Sequence, residues 1–208
     1  NLNNLQAFAH SLIENNRAEC DFVEYKKSYK QEDKILKTIC AYANNFMNRD
    51  YGYLFIGIEE QDDKASGVKA IPIRPITGLL EGELEVAENH IKSLFKYIQP
   101  TPTCHFISDQ IDGKWYFIVV VEPSNRLTEV TDKGAHKTKL SKGGRYIRVN
   151  RDTVLPNTRQ EYELLRKFAG YSFCDDFHAT ATLDDLNYEY MKEYLVKTNA
   201  AQDLRKLP

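Results

Sequence analysis

The sequence lacks the metal-binding and apolar patterns that define several common protein classes. Its four cysteines, Cys20, Cys40, Cys104 and Cys174, are far apart and form no Cys-x-x-Cys pair. Neither a structural zinc site nor a disulfide framework is therefore expected, and free thiols in a reducing, cytoplasmic compartment are the default. The five histidines show no His-Glu-x-x-His spacing, which excludes that zinc-protease motif. The longest strongly apolar run, WYFIVVV, is too short to cross a membrane, so no membrane partner is expected.

The sequence also has no large excess of charge of one sign. It contains 28 Lys and Arg against 30 Asp and Glu, a formal net charge of -2. The total therefore gives no hint of a nucleic-acid partner, and the distribution of charge along the chain matters more. No Walker A motif is present, so this chain should not hydrolyse ATP by the P-loop route. The length of 208 residues suits one medium domain with an appendage.

The periodicity of apolar residues predicts a chain that mixes helices and strands. The predicted helices cover about residues 2–16, 32–48, 82–98, 156–168 and 183–199. The predicted strands cover residues 21–29, 51–60, a short segment near 71, a hairpin at 103–123 with Asp112-Gly113 at its tip, and 145–150. This order predicts an α/β (α+β) domain with a mixed, mostly antiparallel sheet flanked by helices, followed by C-terminal helices.

The first predicted strand carries an unusual set of charges. In AECDFVEYKKSYK, residues 18–30, Glu19 and Glu24 flank an aromatic-rich run, and three lysines follow. Alternate strand residues share a face, so Glu24 and Lys26 are predicted to be neighbours on one side. Two interpretations remain open for this stretch: a solvated edge strand in which Glu24 pairs with Lys26, or a charged site that handles phosphates or a metal.

A basic segment lies in the last third of the predicted domain. Between Lys133 and Arg151 there is no acidic residue, and the basic residues are Lys133, Lys137, Lys139, Lys142, Arg145, Arg148 and Arg151. Such a run attracts phosphate backbones, and Tyr146 within it could stack on an unpaired base. The alternative is a solvated hairpin in which Arg148 pairs with a carboxylate. Asn44 is interpreted as a helix C-terminal cap rather than as part of a phosphate-binding turn.

Three segments together resemble the Schlafen AlbA-like domain family. They are EYKKSY, then ILKTICAYANNFMNRDYGYLFIGIEE with SGV downstream, then YIRVNRDTVLPNT, and the resemblance covers roughly residues 15–168. The family signature is a Glu-x-Lys strand, a helix with an Ala-apolar-Ala-Asn stretch, a Gly-Gly turn, a strand ending Ile-Gly-Val-acid-acid, and a late Tyr-apolar-Arg strand. This sequence departs from it in a longer turn with one glycine, NNFMNRDYG, and in Glu59 where Asp is usual.

The resemblance implies two functions. Bacterial members are named as candidate DNA-binding transcriptional regulators, often with a divergent ATPase-like part and a winged helix further on, and a homodimer is consistent with the family. Animal members bind transfer and ribosomal RNA, and some cut it with three carboxylates. Glu19 and Glu24 match the first two carboxylates, and Glu59 or Glu60 matches the third. By that analogy Glu19, Glu24 and Glu59 would hold Mg²⁺ or Mn²⁺, and Lys26 would neutralise the charge of the transition state.

We therefore expect a nucleic-acid-binding module of a transcriptional regulator. Its expected contacts are Lys26, Lys27, Lys30, Lys137, Lys139, Lys142, Arg145, Tyr146, Arg148 and Arg151. The alternatives are a metal-dependent endoribonuclease and a protein-interaction or oligomerisation domain without nucleic acid. The sequence does not decide between DNA and RNA. Because close carboxylates repel one another, either a divalent ion or a basic partner such as Lys26 is expected among them.

We expect residues 1–168 to form the family domain. Residues 169–208 are expected to be a helical extension or the start of a following domain. Because family members usually continue, the chain is expected to be the N-terminal part of a longer protein.

Overall fold

The computed structural model describes residues 2–169 and 188–197. The helices are α1 (Leu2–Glu14), α2 (Glu32–Asn44), α3 (Leu84–Leu94), α4 (Asp132–Thr138), α5 (Thr158–Phe168) and α6 (Tyr188–Lys197). The strands are β1 (Val23–Lys26), β2 (Gly52–Ile56), β3 (Glu60–Gln61), β4 (Ile71–Pro72), β5 (Ile98–Gln99), β6 (Cys104–Ile111), β7 (Lys114–Val121), β8 (Glu129–Val130), β9 (Ile147–Val149) and β10 (Asp152–Val154). The predicted order of elements is largely confirmed, and the predicted helix at 183–199 lies partly outside the described residues.

The main sheet has four strands in the order β1-β2-β7-β6. Strands β1 and β2 are parallel, with Val23 opposite Tyr53 and Lys26 opposite Ile56. The β2–β7 and β7–β6 pairs are antiparallel. The predicted mixed, mostly antiparallel sheet is therefore confirmed. Helix α2 supplies the crossover that a parallel pair such as β1–β2 requires.

The central strands are buried on both faces. Helix α1 packs Ala9 and Ile13 on one face, in a cluster that includes Tyr25, Phe55 and other apolar side chains. Helices α2 and α3 pack on the other face, where the core includes the side chains of Leu54, Ile56, Phe117 and Val119. This double coverage explains why β7 is an almost unbroken apolar run rather than an alternating one.

The β6–β7 hairpin turns at Asp112 and Gly113. Both residues have positive φ, 54° and 72°. This is the conformation of a type I′ turn, which favours Asp-Gly because few side chains tolerate positive φ. The predicted hairpin and its tip are confirmed.

The strands β9 and β10 form a separate two-stranded ribbon that packs against α2. The ribbon leads into α5, which begins at a capping box in which Asn157 accepts a hydrogen bond from Gln160 N and the Gln160 side chain accepts one from Asn157 N. This local sequence explains why the helix starts at Thr158, directly after the capping residue.

The chain divides into two compact units, residues 1–170 and 171–208. The described part of the second unit is α6. Within the described residues Cys20, Cys40 and Cys104 are free thiols, whereas Cys174 lies outside them. None of the helices within 2–169 and 188–197 has the length and apolar character that a membrane crossing requires.

Candidate nucleic-acid interface and buried charge cluster

Four charged side chains meet in the interior beside β1. Glu24 and Lys26 are two positions apart on β1, so their side chains lie on the same face of the strand, as the strand period predicts. Val23 and Tyr25 point to the face covered by α1, and Glu24 and Lys26 point to the opposite face, which is covered by α2. Both are almost fully buried, and the Lys26 ammonium contacts Glu24 Oε1. Lys26 Nζ also donates to the carbonyl of Tyr25 at 2.7 Å and lies 3.8 Å from Glu19 Oε1. The predicted basic partner among the carboxylates is therefore present.

Arg148 completes the cluster from β9. Its guanidinium is 3% exposed and contacts Glu24 Oε2. Its other donors reach Cys20 O at 2.9 Å, Val23 O at 3.2 Å and Thr153 Oγ1 at 2.9 Å. The planar fork of arginine can satisfy several acceptors at once, which a lysine at this position could not do. Arg148 thus ties the β9–β10 ribbon to the edge of the main sheet.

Glu19 precedes β1 and turns back toward it. Its Oε1 accepts the backbone N–H of Tyr25 at 3.0 Å. Burial raises the pKa of Glu19 to about 7, the negative charge of Glu24 adds to the increase, and Lys26 and the Tyr25 N–H oppose it. This carboxyl group is therefore partly protonated near neutral pH, which reduces the repulsion between two neighbouring carboxylates.

The predicted third carboxylate does not join a metal-binding group. Glu59 pairs with Lys27 at 2.9 Å on the surface, and Glu60 is exposed on β3, although its charge contributes to the raised pKa of Glu19. Across residues 2–169 and 188–197, no three Asp, Glu, His or Cys side chains are grouped so that they could hold an ion. Both oxygens of Glu24 already contact cations. The residues present do not fit a divalent metal in this arrangement.

Three of the residues predicted to contact nucleic acid are buried instead. Lys26, Tyr146 and Arg148 are 6%, 5% and 3% exposed. The Tyr146 hydroxyl donates to the carbonyl of Lys142, and its ring lies in the core. Lys26 on β1, Arg148 on β9 and Tyr146 just before β9 all point inward, so they cannot reach a partner on the surface. The alternative interpretation of Arg148, a pair with a carboxylate, is what the structure contains.

The basic segment includes a short helix that the sequence did not reveal. Helix α4 starts where Thr131 Oγ1 accepts the N–H of Gly134 at 3.1 Å. It ends at Thr138 and is capped by Lys139, which has a left-handed conformation with φ 60°. Gly134 and Ala135 face the core. A side chain at Gly134 would collide with Tyr97, because a Cβ there would lie 2.4 Å from the Tyr97 Cβ.

Packing of this helix face directs the basic side chains outward. Lys133, Lys137, Lys139 and Lys142 are all exposed, and none has a carboxylate within ion-pair distance among the described residues. Lys96 and Lys133 line one pocket together with Tyr97, Gln99 and Thr131. These five lysines (Lys96, Lys133, Lys137, Lys139 and Lys142) are called the α4 basic surface below.

The remaining predicted contacts lie at the surface with different partners. Arg145 is 3.6 Å from Glu129 and 3.4 Å from Glu161, so its charge is partly balanced. Lys27 is paired with Glu59, and Lys30 lies over the Tyr29 ring. Arg151 is exposed in the β9–β10 turn. Lys137 lies in the last turn of α4 and Lys139 and Lys142 follow it in the chain, whereas these four residues are not part of the α4 basic surface.

Asn44 has a different role from the predicted helix cap. It is fully buried, and its Nδ2 donates to Thr128 O and Tyr146 O, both at 2.8 Å, while its Oδ1 accepts the Thr128 N–H at 2.8 Å. Asn45 is the left-handed cap, with φ 43°. Asn44 follows the buried Cys40 by four positions, so it lies on the apolar stripe of α2. An amide side chain on that stripe was the signal by which the sequence could have shown that Asn44 is buried.

The fold and these contacts define an α+β domain in which buried charges join β1 to a late ribbon. A family model described as Schlafen, AlbA_2 matches residues 19–157, which is more than half of the chain. The chain therefore belongs to the Schlafen AlbA_2 family, and the resemblance drawn from its motifs is confirmed. No curated protein matches the sequence.

Several solved structures are similar to this chain, among them the following two. One is the N-terminal domain of a RecG-related protein from Nitrosomonas europaea, with 18% identity, a TM-score of 0.44, and coverage of 86% of this chain and 97% of that one. The other is the DIP2311 protein from Corynebacterium diphtheriae, with 17% identity, a TM-score of 0.47, and coverage of 91% of this chain. The match spans only 33% of the Corynebacterium chain.

Proposed function

We propose that this chain is a nucleic-acid-binding module and that the α4 basic surface contacts the phosphate backbone. The observation that carries the proposal is a set of exposed lysines that have no carboxylate partner among the described residues. Lys133 and Lys137 lie on α4, whose opposite face is buried, Lys139 and Lys142 follow it in the chain, and Lys96 lines a pocket with Lys133. Family membership and the name of the RecG-related neighbour support it. The narrower role in a transcriptional regulator, and a cytoplasmic location, are part of the proposal.

The chemistry of the surface suits backbone contacts rather than base recognition. Lysine ammonium groups neutralise phosphates and release condensed counterions, a term that is independent of sequence. The aromatic side chain predicted to stack on a base, Tyr146, is buried. We therefore expect binding that is strongly dependent on salt and weakly dependent on sequence.

A salt titration tests the proposal. Binding to a fluorescent duplex DNA and to a structured RNA of equal length is measured by anisotropy over a range of salt concentrations. Changing Lys133, Lys137 and Lys142 together to Gln should weaken binding. It should also reduce the slope of the logarithm of the binding constant against the logarithm of the salt concentration by about 2–3, because each phosphate contact contributes roughly 0.9 to that slope for B-DNA.

The matched control changes three exposed lysines elsewhere, Lys64, Lys69 and Lys114, to Gln. Both variants lose the same charge, so a general charge effect would weaken binding equally in both. Equal losses would refute the assigned surface. Absence of salt-dependent binding to either probe by the unmodified chain would instead favour the third class, a protein-interaction domain.

A metal-dependent endoribonuclease is the alternative. One observation favours it, although Lys26 and Arg148 would first have to release the oxygens of Glu24, because the arrangement described above does not fit a divalent ion. Glu19 and Glu24 both approach Lys26, so two of the three implied carboxylates converge. Incubation with structured RNA and Mn²⁺ tests this idea with Glu19→Gln, which leaves the Glu24–Arg148 pair in place. Cleavage that is lost in the variant would support the nuclease, whereas equal or absent cleavage would count against it.

A further inference from the structure

The outer strand of the main sheet, β6, has an open edge. Within the described residues, β6 pairs only with β7. It runs for eight residues in unbroken register from Cys104 to Ile111. Natural edge strands are usually shortened, bulged or protected by Lys or Pro. The strand CHFISDQI contains no Lys, Pro or bulge, although it carries the charged Asp109, and no other described strand pairs with its outer edge.

The turn fixes which backbone groups point outward. A two-residue loop makes Ile111 and Lys114 the closing hydrogen-bonded pair, so odd-numbered residues of β6 bond to β7. The hydrogen bond from Glu122 N to Thr103 O, at 2.9 Å, agrees with this pattern, because Thr103 is also odd-numbered. The outward residues are therefore Cys104, Phe106, Ser108 and Gln110.

Most of these outward groups are unsatisfied within the described chain. The Gln110 N–H donates to Asp109 Oδ1 at 2.8 Å. The other outward N–H and C=O groups of β6 have no hydrogen-bond partner among the described residues. Backbone groups in this geometry match another extended strand, and an antiparallel partner of the same sequence would offer the same pattern in return.

We propose that β6 pairs antiparallel with β6 of a second copy of this chain, about a two-fold axis beside Ile107. In this register Cys104 lies opposite Gln110 of the second copy, and Phe106 lies opposite Ser108. Outward residues then face outward residues on both strands, which gives roughly six cross-strand hydrogen bonds. The interface is closed and self-complementary, and it joins two four-stranded sheets into one.

Charge complementarity selects this register over its neighbours. It places His105 opposite Asp109 of the second copy, twice, at positions where side chains approach most closely. A register centred on Phe106 or on Ser108 would place an isoleucine opposite His105. Within one copy, His105 Nε2 is 2.7 Å from Glu122, and Asp109 accepts a hydrogen bond from Tyr116 and is 2.9 Å from His10 Nδ1. The new pair would therefore extend two existing polar groups.

Disulfide trapping tests the register. Gln110→Cys would place a thiol opposite the native Cys104 of the second copy. Within one copy these positions are six residues apart on a strand, roughly 20 Å, which no disulfide can span. Mild oxidation should give a covalent dimer for Gln110→Cys, and none when Cys104→Ser is added. Equal cross-linking of both variants would overturn the register.

Removal of one outward donor tests the edge itself. Ser108→Pro deletes an N–H that β7 does not use, and proline is tolerated on strand edges, whereas Ser108→Ala keeps the donor. Sedimentation equilibrium should show a dimer for the unmodified chain and for Ser108→Ala. The dissociation constant of Ser108→Pro should rise about tenfold or more, because one hydrogen bond is lost in each copy. A monomeric unmodified chain, or equal dissociation constants for both variants with unchanged circular dichroism, would refute the proposal.

Discussion

Replacing Arg148 by alanine should destabilise the domain severely. The change removes a buried guanidinium that contacts Glu24 and donates to the carbonyls of Cys20 and Val23. Removing one partner of a buried ion pair typically costs about 3–5 kcal/mol, because the remaining charge stays in the interior. Lys26 still balances part of the Glu24 charge, so we expect the lower half of that range. For a chain of this size the melting temperature should fall by about 6–16 °C.

Urea unfolding provides the measurement. The single tryptophan, Trp115, lies on β7 in the main sheet and reports on its packing. Fluorescence and far-UV circular dichroism should give coincident transitions if unfolding is two-state. Arg148→Lys keeps the charge but not the fork, so its loss of unfolding free energy should be smaller, about 1–3 kcal/mol.

The exposed Arg151, three positions later in the β9–β10 turn, supplies the control. Arg151→Ala should change the unfolding free energy by less than about 0.5 kcal/mol. The double variant Arg148→Met with Glu24→Leu should recover only part of the loss. It removes the Glu24 charge, but the carbonyls of Cys20 and Val23 stay without their donor, and Lys26 keeps only Glu19 as a carboxylate neighbour in the cluster. A loss below about 1 kcal/mol for Arg148→Ala would show that the cluster does not hold the ribbon to the sheet.

Two further predictions concern other buried polar groups. Because the pKa of Glu19 is raised from 4.5 to about 7, the folded state binds more protons than the unfolded state between these values, and stability should fall as pH rises from about 5 to 8. In urea unfolding, the difference in unfolding free energy between pH 5 and pH 8 should be smaller by about 1–3 kcal/mol for Glu19→Gln than for the unmodified chain. The same difference in both proteins would contradict the reasoning. Asn44→Ala leaves three buried backbone groups, at Thr128 and Tyr146, without their partner. It should cost about 2–4 kcal/mol in the same assay, and a change within the error of the unmodified chain would mean that water replaces the amide.

The sequence predicted the parts of this structure that depend on local periodicity. Strand alternation placed Glu24 and Lys26 on one face, and Asp112-Gly113 identified the hairpin turn. Each of these depends on neighbours in the chain or on the general rules of strand pairing.

The sequence did not predict the features that depend on distant partners. The residues around Arg148 in the sequence do not distinguish it from an exposed arginine in a basic segment. Its burial follows from its contact with Glu24, which is distant in the sequence. Helix α4 spans seven residues, too short for apolar periodicity to reveal. Its position depends on the close approach of Gly134 to Tyr97. Family analogy likewise could not show that lysine and arginine occupy the oxygens of Glu24.

The long separation of Arg148 from β1 also sets an order of assembly during synthesis. Arg148 and Val23, which share a hydrogen bond, are 125 positions apart. Glu24 and Lys26 therefore leave the ribosome long before the guanidinium that completes their group is made. Until Arg148 is present, β1 can pair with β2, but the Glu24 carboxylate on the face covered by α2 lacks one of its two cationic partners. A nascent chain that ends before residue 148 should stay sensitive to protease, and one extended past the β9–β10 ribbon should become resistant. Completion of the domain is thus postponed to its final ribbon.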